Sequence, residues 1–383
     1  MAGTGHREPP AIICTRGAIS GTRPILNRAT DPHPQWILLK GQVGMTRRIR
    51  VLAAAALATA MLVTAGCSGS DDSDGGDAGG KAPDKVTYLT GFGTGGHDAF
   101  AWVAKDKGFF KEAGLDVTVQ QGAPATNNQG LLSGKAQFTY SDVTQLMIQT
   151  GKAQVTDMRV IAAVHQSTLV AIFAPPGSGV TKPKDLEGKR VGVAAGSITR
   201  TLLPAYGKLA GFDASRLQFV EATPQSLVGL LVGKRVDVLS TFVITKNTVE
   251  TVTKQTMTVM PLTDYLRDLL GTGLTTTAKY AQENPDIVKR FKDAAMKGLK
   301  YTVENPEEAA KIMKANNPNV NEQGAAAEIK LMTPYVTSAP GNTIGALDEQ
   351  RAARAIAILQ GAELIPAGLT PDKVIDFSIA PKA

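Results

Sequence analysis

Two phrases of the chain occur twice, in the same order and at nearly the same spacing. Residues 111–116 (K-E-A-G-L-D) are echoed by residues 208–213 (K-L-A-G-F-D). Each copy is followed by a second shared phrase, G-L-L-S-G-K at residues 130–135 and G-L-L-V-G-K at residues 229–234. The duplication predicts two similar α/β lobes, and a cleft between paired lobes is a common place for a small ligand.

A short apolar run near the front of the chain resembles a secretion signal. Residues 51–63 form a run of small and apolar residues with no charge, and three arginines lie just before them. A run of this length suits the core of a signal peptide, whereas a membrane-spanning helix needs roughly 20 residues. We therefore expect residues 45–66 to be a signal peptide. Residues 1–44 lack a pattern, and we expect them to be a non-native extension.

The apolar run ends at a cysteine. Cys67 follows the residues T-A-G, which resemble a bacterial lipobox, and this implies cleavage before Cys67 with diacylglycerol on its thiol. The other cysteine, Cys14, lies in the extension, so the mature chain is expected to have no disulfide and no cysteine nucleophile. Residues 67–83 are small and polar, and they predict a flexible tether with a span of roughly 20 Å.

Charge and length limit the classes of function. The formal net charge is +7, but eight basic and two acidic residues lie in the first 66 positions. The remaining 33 basic and 32 acidic residues nearly cancel. The mature chain therefore lacks the basic surplus that is typical of nucleic-acid-binding proteins, and we expect no nucleic-acid partner. The body is long enough for two hydrophobic cores.

The body alternates short strands and helices over short loops. This alternation is typical of an α/β fold with mostly parallel sheets and helices on both faces. It predicts a first lobe built from residues 84–173 and 275–383, and a second lobe built from residues 174–274. The two strands that link the lobes, near Phe173 and Leu274, are expected to bend when the lobes close.

Three phrases resemble one known family. Residues 103–117 are similar to its signature A-K-E-K-G-x-F-x-x-x-G-L-D-V, residues 134–138 to its G-K-A-D-F strand, and residues 183–189 to its P-x-D-L-x-G-K start of the second lobe. The family comprises periplasmic binding proteins that serve ABC importers of thiamine-pyrimidine precursors, alkanesulfonates, taurine and nitrate. The resemblance implies a two-lobed periplasmic-binding-protein fold of type II with a two-strand hinge, and ABC permease and ATPase partners. We expect a monomer.

One position departs from the family. The family often carries a histidine six places before the first alanine of its signature, where this chain has Asp98 and, one place earlier, His97. A ligand contact of the family's histidine therefore cannot be transferred directly. Trp102 stands where the family usually has an aromatic residue.

Ligands of open parallel sheets lie beyond the carboxyl ends of the strands, so the loops there supply the candidate ligand-binding residues. In the first lobe these are Phe92, Gly96, His97, Asp98, Trp102, Gly122, Tyr140, Ser141, Asp142 and Gln166. In the second lobe they are Gly196, Ser197, Thr199, Gln225, Thr241 and Phe242. The repeat pairs the dipeptide at 141–142 with the dipeptide at 240–241.

These candidates favour a neutral or amine-bearing ligand over an anion. Asp98 and Asp142 are interpreted as helix caps or as acceptors for ligand N–H groups, and the first-lobe loops carry no lysine or arginine. The aromatic candidates are expected either to stack on a ring or to pack inward. Arg200 is the residue that could reach an anion, if it does not face solvent. Ser197 either binds a ligand oxygen or caps a helix.

The residue pattern gives no support for catalysis. His97 and His165 lack a cluster of metal ligands and an adjacent nucleophile, so we expect no metal, no cofactor and no enzymatic activity. The resemblance also reaches eukaryotic thiamine-pyrimidine synthases, but their cysteine-rich motif is missing here.

We therefore expect a binding protein, lipid-anchored to the outer face of the cytoplasmic membrane, that captures a thiamine-pyrimidine precursor. One alternative is a binding protein for a sulfonate, taurine, nitrate or another nitrogenous heterocycle. Two others are a synthase-like enzyme and a surface interaction protein with a vestigial cleft.

Overall fold

The computed structural model describes residues 82–91 and 95–382, without the side chains of residues 124 and 125. The predicted extension, signal peptide, lipidation site Cys67 and almost all of the tether lie outside these residues. The strands are β1 (Asp84–Leu89), β2 (Leu115–Gln120), β3 (Phe138–Asp142), β4 (Met158–Ala163), β5 (Val170–Ala174), β6 (Arg190–Ala194), β7 (Gln218–Ala222), β8 (Val238–Phe242), β9 (Thr258–Pro261) and β10 (Thr272–Thr277). The α-helices are α1 (Ala99–Asp106), α2 (Phe109–Glu112), α3 (Pro124–Leu132), α4 (Val143–Gly151), α5 (Ile198–Thr201), α6 (Leu203–Ala210), α7 (Leu227–Val232), α8 (Lys246–Thr253), α9 (Ala278–Glu283), α10 (Pro285–Glu304), α11 (Pro306–Asn316), α12 (Glu322–Thr337) and α13 (Glu349–Gly361).

The strands form two five-stranded sheets with the same layout. The strand order is β2-β1-β3-β10-β4 in the first sheet and β7-β6-β8-β5-β9 in the second. Four strands of each sheet share one direction, and one strand, β10 or β5, runs antiparallel to both of its neighbours. The predicted α/β fold with two mostly parallel sheets is confirmed. We call each sheet with its helices a lobe.

The duplicated phrases occupy equivalent places in the two lobes. The first phrase of each pair leads from the end of α2 or α6 towards the edge strand β2 or β7. The second phrase ends α3 or α7 just before β3 or β8, and each of these strands pairs in parallel with β1 or β6. The repeat therefore marks one strand-and-helix arrangement that is used once in each sheet.

The boundary between the sheets differs from the predicted one by a few residues. β5, with Phe173, pairs with β8 and β9 in the second sheet, whereas the sequence pattern places it in the first lobe. β10 pairs with β3 from its first residue, Thr272, whereas the predicted return is at residue 275. A fully buried apolar strand looks the same in either sheet, so the local pattern could not assign it. Phe173 and Leu274 are therefore buried residues within the two sheets.

Two connections join the lobes, and both run between carboxyl edges of the sheets. Residues 164–169 lead from the end of β4 to the start of β5, whose Val170 lies opposite Phe242 at the end of β8. Residues 262–271 lead from the end of β9 to the start of β10, which lies beside the end of β3. The antiparallel strands β5 and β10 thus begin at the edge where their neighbours end. The two connections therefore join the carboxyl edge of one sheet to that of the other.

The C-terminal helices cover the first lobe, to which the sequence pattern assigns residues 275–383. Phe291 of α10 lies 3.8 Å from the ring of Phe138 on β3 and 5.0 Å from that of Phe110 on α2, measured between ring centroids. α12 contacts α10 and also the 3-10 helix Val243–Thr245 of the second lobe. Within residues 82–91 and 95–382, no helix is both long and apolar enough to span a membrane.

Candidate functional site

An imidazole lies between two carboxyl groups at the carboxyl edge of the first sheet. Nδ1 of His97 is 2.5 Å from Oε1 of Glu328, and Nε2 is 3.2 Å from Oδ2 of Asp98. Burial lowers the pKa of His97, but the neighbouring Glu328 and Asp98 outweigh that effect and raise the pKa well above its ordinary value. His97 is therefore an imidazolium at neutral pH, and His97 and Asp98 are both buried.

Asp98 is held by tertiary hydrogen bonds. Its Oδ1 accepts from the hydroxyl of Tyr88 at 2.9 Å, and its Oδ2 accepts from the amide of Gly91 at 2.8 Å. Asp98 occupies the N-cap position of α1, but its side chain accepts no capping bond from that helix. The prediction of a side-chain cap is therefore wrong, because the long-range donors occupy both oxygens. Ligand contact by Asp98 stays a prediction.

Glu328 joins this cluster from the far end of the chain. Its Oε2 accepts from the amide of Gly96 at 2.8 Å, so one carboxyl group contacts two consecutive residues of the 3-10 helix Gly96–Asp98. A Cβ at Gly96 would lie 2.3 Å from the carbonyl oxygen of Ala325 on α12. Only glycine at position 96 allows the loop to approach α12 this closely.

A second group of polar side chains surrounds His165, in the first connection. Its Nδ1 lies 2.6 Å from Oγ1 of Thr272 and 3.2 Å from the hydroxyl of Tyr140, and the Tyr140 ring lies 5.7 Å from that of His97. Burial, with His97 adding to it, lowers the pKa of His165 to about 3. His165 is therefore a neutral imidazole. Burial also raises the pKa of Tyr140, which stays a phenol.

Asp142 caps α4, as predicted. Its Oδ1 accepts from the amide of Gln145 at 2.7 Å. Burial raises the pKa of Asp142 to about 7, against the opposing effect of hydrogen bonds from the amides of Gln145 and Thr144. Ser141 lies opposite Gly273 of β10, at the same edge. The first-lobe candidates Tyr140, Ser141 and Asp142 are thus neighbours of the start of β10.

The second-lobe candidates lie at the carboxyl edge of the second sheet. Ser197 caps α5 and accepts from the amide of Thr199 at 3.3 Å. Thr199 is buried, and its carbonyl oxygen accepts from the hydroxyl of Ser240 on β8 at 2.7 Å. Thr241 is buried and Phe242 is half-buried at the end of β8. Gly196 is exposed, with a φ of +66° that suits glycine.

The remaining candidates are more scattered. Gln166 is buried in the first connection, and its Nε2 donates to the carbonyl oxygen of Ala346 at 3.1 Å. Gly122 donates from its amide to Oγ1 of Thr90 at 3.0 Å, after β2. Trp102 is half-buried on α1 against the apolar core of the first lobe, and Gln225 is exposed before α7. Phe92 lies outside the described residues.

Arg200 of the second lobe is paired with a carboxylate and is not a free cation. Nη1 of Arg200 lies 2.5 Å from Oε1 of Glu221, and the guanidinium lies 5.0 Å from the centroid of the Phe219 ring. Both partners belong to β7, the edge strand, and half of the Arg200 side chain is exposed. Of the two interpretations of Arg200, the structure favours the solvent-facing one.

Four buried side-chain polar atoms of the described residues have no hydrogen-bond partner. Three of them follow strand ends at the carboxyl edges: Oε1 of Gln145 after β3, Nε2 of His165 after β4, and Oγ1 of Thr199 after β6. The fourth, Oγ1 of Thr150, is at the far end of α4, beside a cavity of about 340 Å³. Buried polar atoms are normally paired, so three unpaired ones at the joined edges are unusual.

Four residues of this region, His165 among them, were not among the predicted ligand-binding residues. Gln145 stands three positions after the cap Asp142, the spacing of a capping box, and this signal could have found it. Thr272 begins the observed strand β10, three residues before the predicted return, and a corrected boundary would have placed it at the edge. Glu328 is 231 positions from His97, and the local sequence carries no signal for that contact. Among residues 82–91 and 95–382, no group of three or more His, Cys, Asp or Glu residues could hold a metal ion.

A protein-family comparison decides the relationship of the chain. The family described as NMT1/THI5 like matches residues 97–309, more than half of the chain. The chain belongs to the NMT1/THI5-like family. This result confirms the resemblance that the motif at residues 103–117 indicates.

Relatives and solved structures agree with this family assignment. The chain is 24% identical over 226 residues to the formylaminopyrimidine-binding protein of Halalkalibacterium halodurans, an alignment that covers 58% of this chain and 67% of that protein. In structure it resembles the periplasmic aliphatic sulphonate binding protein SsuA of Escherichia coli, with a TM-score of 0.61, 14% identity, and coverage of 79% of this chain and 94% of SsuA.

A third similar protein is the periplasmic nitrate-binding protein NrtA of Synechocystis PCC 6803. Its TM-score is 0.63 and its identity 14%, with coverage of 78% of this chain and 88% of NrtA. At these identities the structural likeness establishes the fold alone. This member of the NMT1/THI5-like family thus has the two-lobed fold of periplasmic binding proteins, as predicted.

Proposed function

We propose that this NMT1/THI5-like protein is the solute-binding component of an ABC importer and closes its two lobes on a small nitrogenous heterocycle. The observation that carries the proposal is the set of three unpaired buried atoms at the joined carboxyl edges, on Gln145, His165 and Thr199. A buried polar atom without a partner costs free energy unless a ligand or water satisfies it. Two of these atoms belong to the first-lobe edge and its connection, and one to the second lobe.

The ligand class follows from the charges around these atoms. The first-lobe cluster combines one imidazolium with the carboxyl groups of Asp98 and Glu328, and Arg200 is engaged by Glu221. Such surroundings disfavour a sulfonate or nitrate and suit a ligand with N–H donors. The formylaminopyrimidine-binding relative is named for a ligand of this class. We therefore favour an aminopyrimidine of the thiamine-precursor type.

Isothermal titration calorimetry tests this assignment. The full chain, freed of copurified ligand by unfolding and refolding, is titrated with formylaminopyrimidine, with the corresponding aminopyrimidine and with taurine. We expect a dissociation constant in the micromolar range or tighter for a pyrimidine, and at least about 100-fold weaker binding of taurine, a difference of about 2.7 kcal/mol. Tight binding of taurine with no pyrimidine binding would overturn the ligand class but leave a solute-binding role in place.

The same proposal places the protein outside the cytoplasmic membrane. The signal-like run at residues 45–66 and the lipobox-like residues before Cys67 support export followed by lipid attachment. A single acyl chain binds a protein to a membrane only weakly, whereas diacylglycerol together with a further acyl chain anchors it stably. Intact-mass analysis of the membrane fraction tests it. We expect the mass of a chain that begins at Cys67 and carries the added mass of the lipid. Cys67→Ala should lack the lipid and should not be retained in the membrane fraction.

A further inference from the structure

Both connections between the lobes are bonded to the first lobe along much of their length. In residues 164–169, Gln166 donates from its amide to the carbonyl oxygen of Tyr335 at 2.7 Å and from Nε2 to that of Ala346 at 3.1 Å. In residues 262–271, the carbonyl oxygen of Gly271 accepts from the amide of Val143 at 2.8 Å. These partners belong to α12, to the segment after it, and to α4.

The other end of each connection contacts the second lobe. The carbonyl oxygen of Leu169 accepts from the amide of Val243 at 2.8 Å. In the second connection Leu262 and Leu266 are fully buried, and the ring of Tyr265 lies 5.6 Å from that of Tyr206 on α6. The attachment therefore changes from one lobe to the other within a few residues of each connection.

One side chain of the first lobe reaches both of these changeover points. Nη2 of Arg351, in the first turn of α13, donates to Oγ of Ser167 at 2.9 Å and to the carbonyl oxygen of Arg267 at 3.0 Å. The two connections are also bonded to each other there, through the amide of Thr168 and the carbonyl oxygen of Leu269 at 3.1 Å. A planar guanidinium can hold two acceptors in a fixed geometry, which an ammonium cannot do as well.

We propose that Arg351 is a positioning residue that fixes the axis about which the lobes close. Its two hydrogen bonds hold Ser167 and Arg267 to the first lobe, so bending is confined to residues 167–169 and 265–267. The inference rests on the lobe closure of the proposed function, but it needs no particular ligand. It also replaces the bending points that the sequence suggests at Phe173 and Leu274, which lie inside the sheets.

Hydrogen–deuterium exchange of the ligand-free full chain tests the proposal. Arg351→Met keeps the apolar stem and removes both donors. We expect exchange to rise at least about tenfold in peptides covering residues 164–170 and 262–271, because these amides would open locally, and to stay unchanged in β3 and β8. Arg354→Met is the matched control on the same helix, since Arg354 makes one half-exposed ion pair, at 3.2 Å, with Asp268. It should leave exchange within about twofold of the wild type.

A second variant guards against general destabilisation by the first. Ser167→Ala removes one acceptor of Arg351 and keeps the guanidinium, so we expect a smaller rise, about threefold, confined to the same two segments. Wild-type exchange in both segments of Arg351→Met would overturn the proposal. Arg351→Met could instead raise exchange throughout the chain because it destabilises the fold. In that case, wild-type exchange in both segments of Ser167→Ala would overturn the proposal. Neither result depends on whether a pyrimidine binds.

Discussion

Thr199 offers a way to separate ligand contact from folding. Its hydroxyl oxygen is buried without a protein partner, so the nearly isosteric change Thr199→Val removes no hydrogen bond of the fold. We expect the free energy of unfolding to stay within about 1 kcal/mol of the wild type or to rise, because an unsatisfied group is removed. Affinity for the pyrimidine should fall about tenfold, the loss of about 1.4 kcal/mol. Urea denaturation and calorimetry measure the two effects.

The neighbouring serine provides the control for that experiment. The hydroxyl of Ser240 donates to the carbonyl oxygen of Thr199 at 2.7 Å, so Ser240→Ala breaks a bond of the fold. It should lower the free energy of unfolding by about 1 kcal/mol. An unchanged affinity in Thr199→Val would contradict the proposed contact between the second lobe and the ligand.

Because the pKa of Asp142 is raised in the folded chain, the free energy of unfolding should depend on pH. Burial raises its pKa from 3.8 to about 7, so between these values the folded chain keeps a proton that the unfolded chain loses. The free energy of unfolding therefore falls as pH rises through this range. Asp142→Asn does not titrate and keeps an oxygen for the cap. Its stability relative to the wild type should increase by about 2 to 3 kcal/mol between pH 5 and pH 8.

Denaturation midpoints at the two pH values measure this difference. Asp213→Asn is the control, because Asp213 is exposed and hydrogen bonds from Ser215 lower the pKa of its carboxyl group. That group is ionised in both states at pH 5 and pH 8, so its substitution should show no pH dependence. An Asp142→Asn difference that is the same at both pH values would refute the burial effect.

At the scale of helices, two glycines distinguish close packing from simple chain flexibility. A Cβ at Gly298 of α10 would lie 2.4 Å from the carbonyl oxygen of Phe100 and 2.8 Å from Cβ of Ala104, both on α1. We expect Gly298→Ala to lower the free energy of unfolding by about 1 to 2 kcal/mol, because overpacking exceeds the gain of about 1 kcal/mol in helix propensity. Thermal or urea denaturation measures the change.

Gly229 of α7 is the matched control. A Cβ built there has no neighbouring atom within 4 Å, so Gly229→Ala should gain helix propensity without a clash. We expect an increase of up to about 1 kcal/mol in the free energy of unfolding. Equal effects of the two substitutions would mean that α1 and α10 do not approach as closely as described.

The local sequence predicted most of the individual elements. The residue pattern predicts a helix at residues 143–150, after the cap Asp142, and C-terminal helices at residues 285–302 and 306–315. These segments have strong periodicity and clear start signals, and their predicted bounds lie within a few residues of the observed α4, α10 and α11. The repeat identified the equivalence of α3 with α7. β9 and α8 were missed, because β9 is short and α8 is polar over most of its surface.

Contacts between distant residues could not be predicted in the same way. The pairing of β5 with the second sheet depends on partners such as Thr241 and Met260, not on its own residues. Glu328 contacts His97 because α12 packs against the first lobe. No spacing of residues in a single sequence indicates that packing. The cap expected at Asp98 failed for the same reason, since Tyr88 and Gly91 compete for its oxygens.

At the scale of the whole molecule, the topology restricts how the lobes can move. Both connections join carboxyl edges, and both change their attachment from one lobe to the other within a few residues. A rotation about these two short segments changes the separation of the edges, while the two cores stay intact. A ligand that contacts both edges favours the closed arrangement, because it has more contacts there.

Ligand binding should therefore make the molecule more compact. Small-angle X-ray scattering of the full chain with saturating pyrimidine should give a radius of gyration smaller by about 0.5 to 1 Å than without it, as hinge closure requires. At an equal fraction of bound ligand, the radius of gyration of Thr199→Val should decrease less, because this substitution weakens the second-lobe contact that stabilises the closed arrangement. An unchanged radius in the wild type, with binding verified by calorimetry, would mean that the ligand is held by one lobe and that closure is not part of capture.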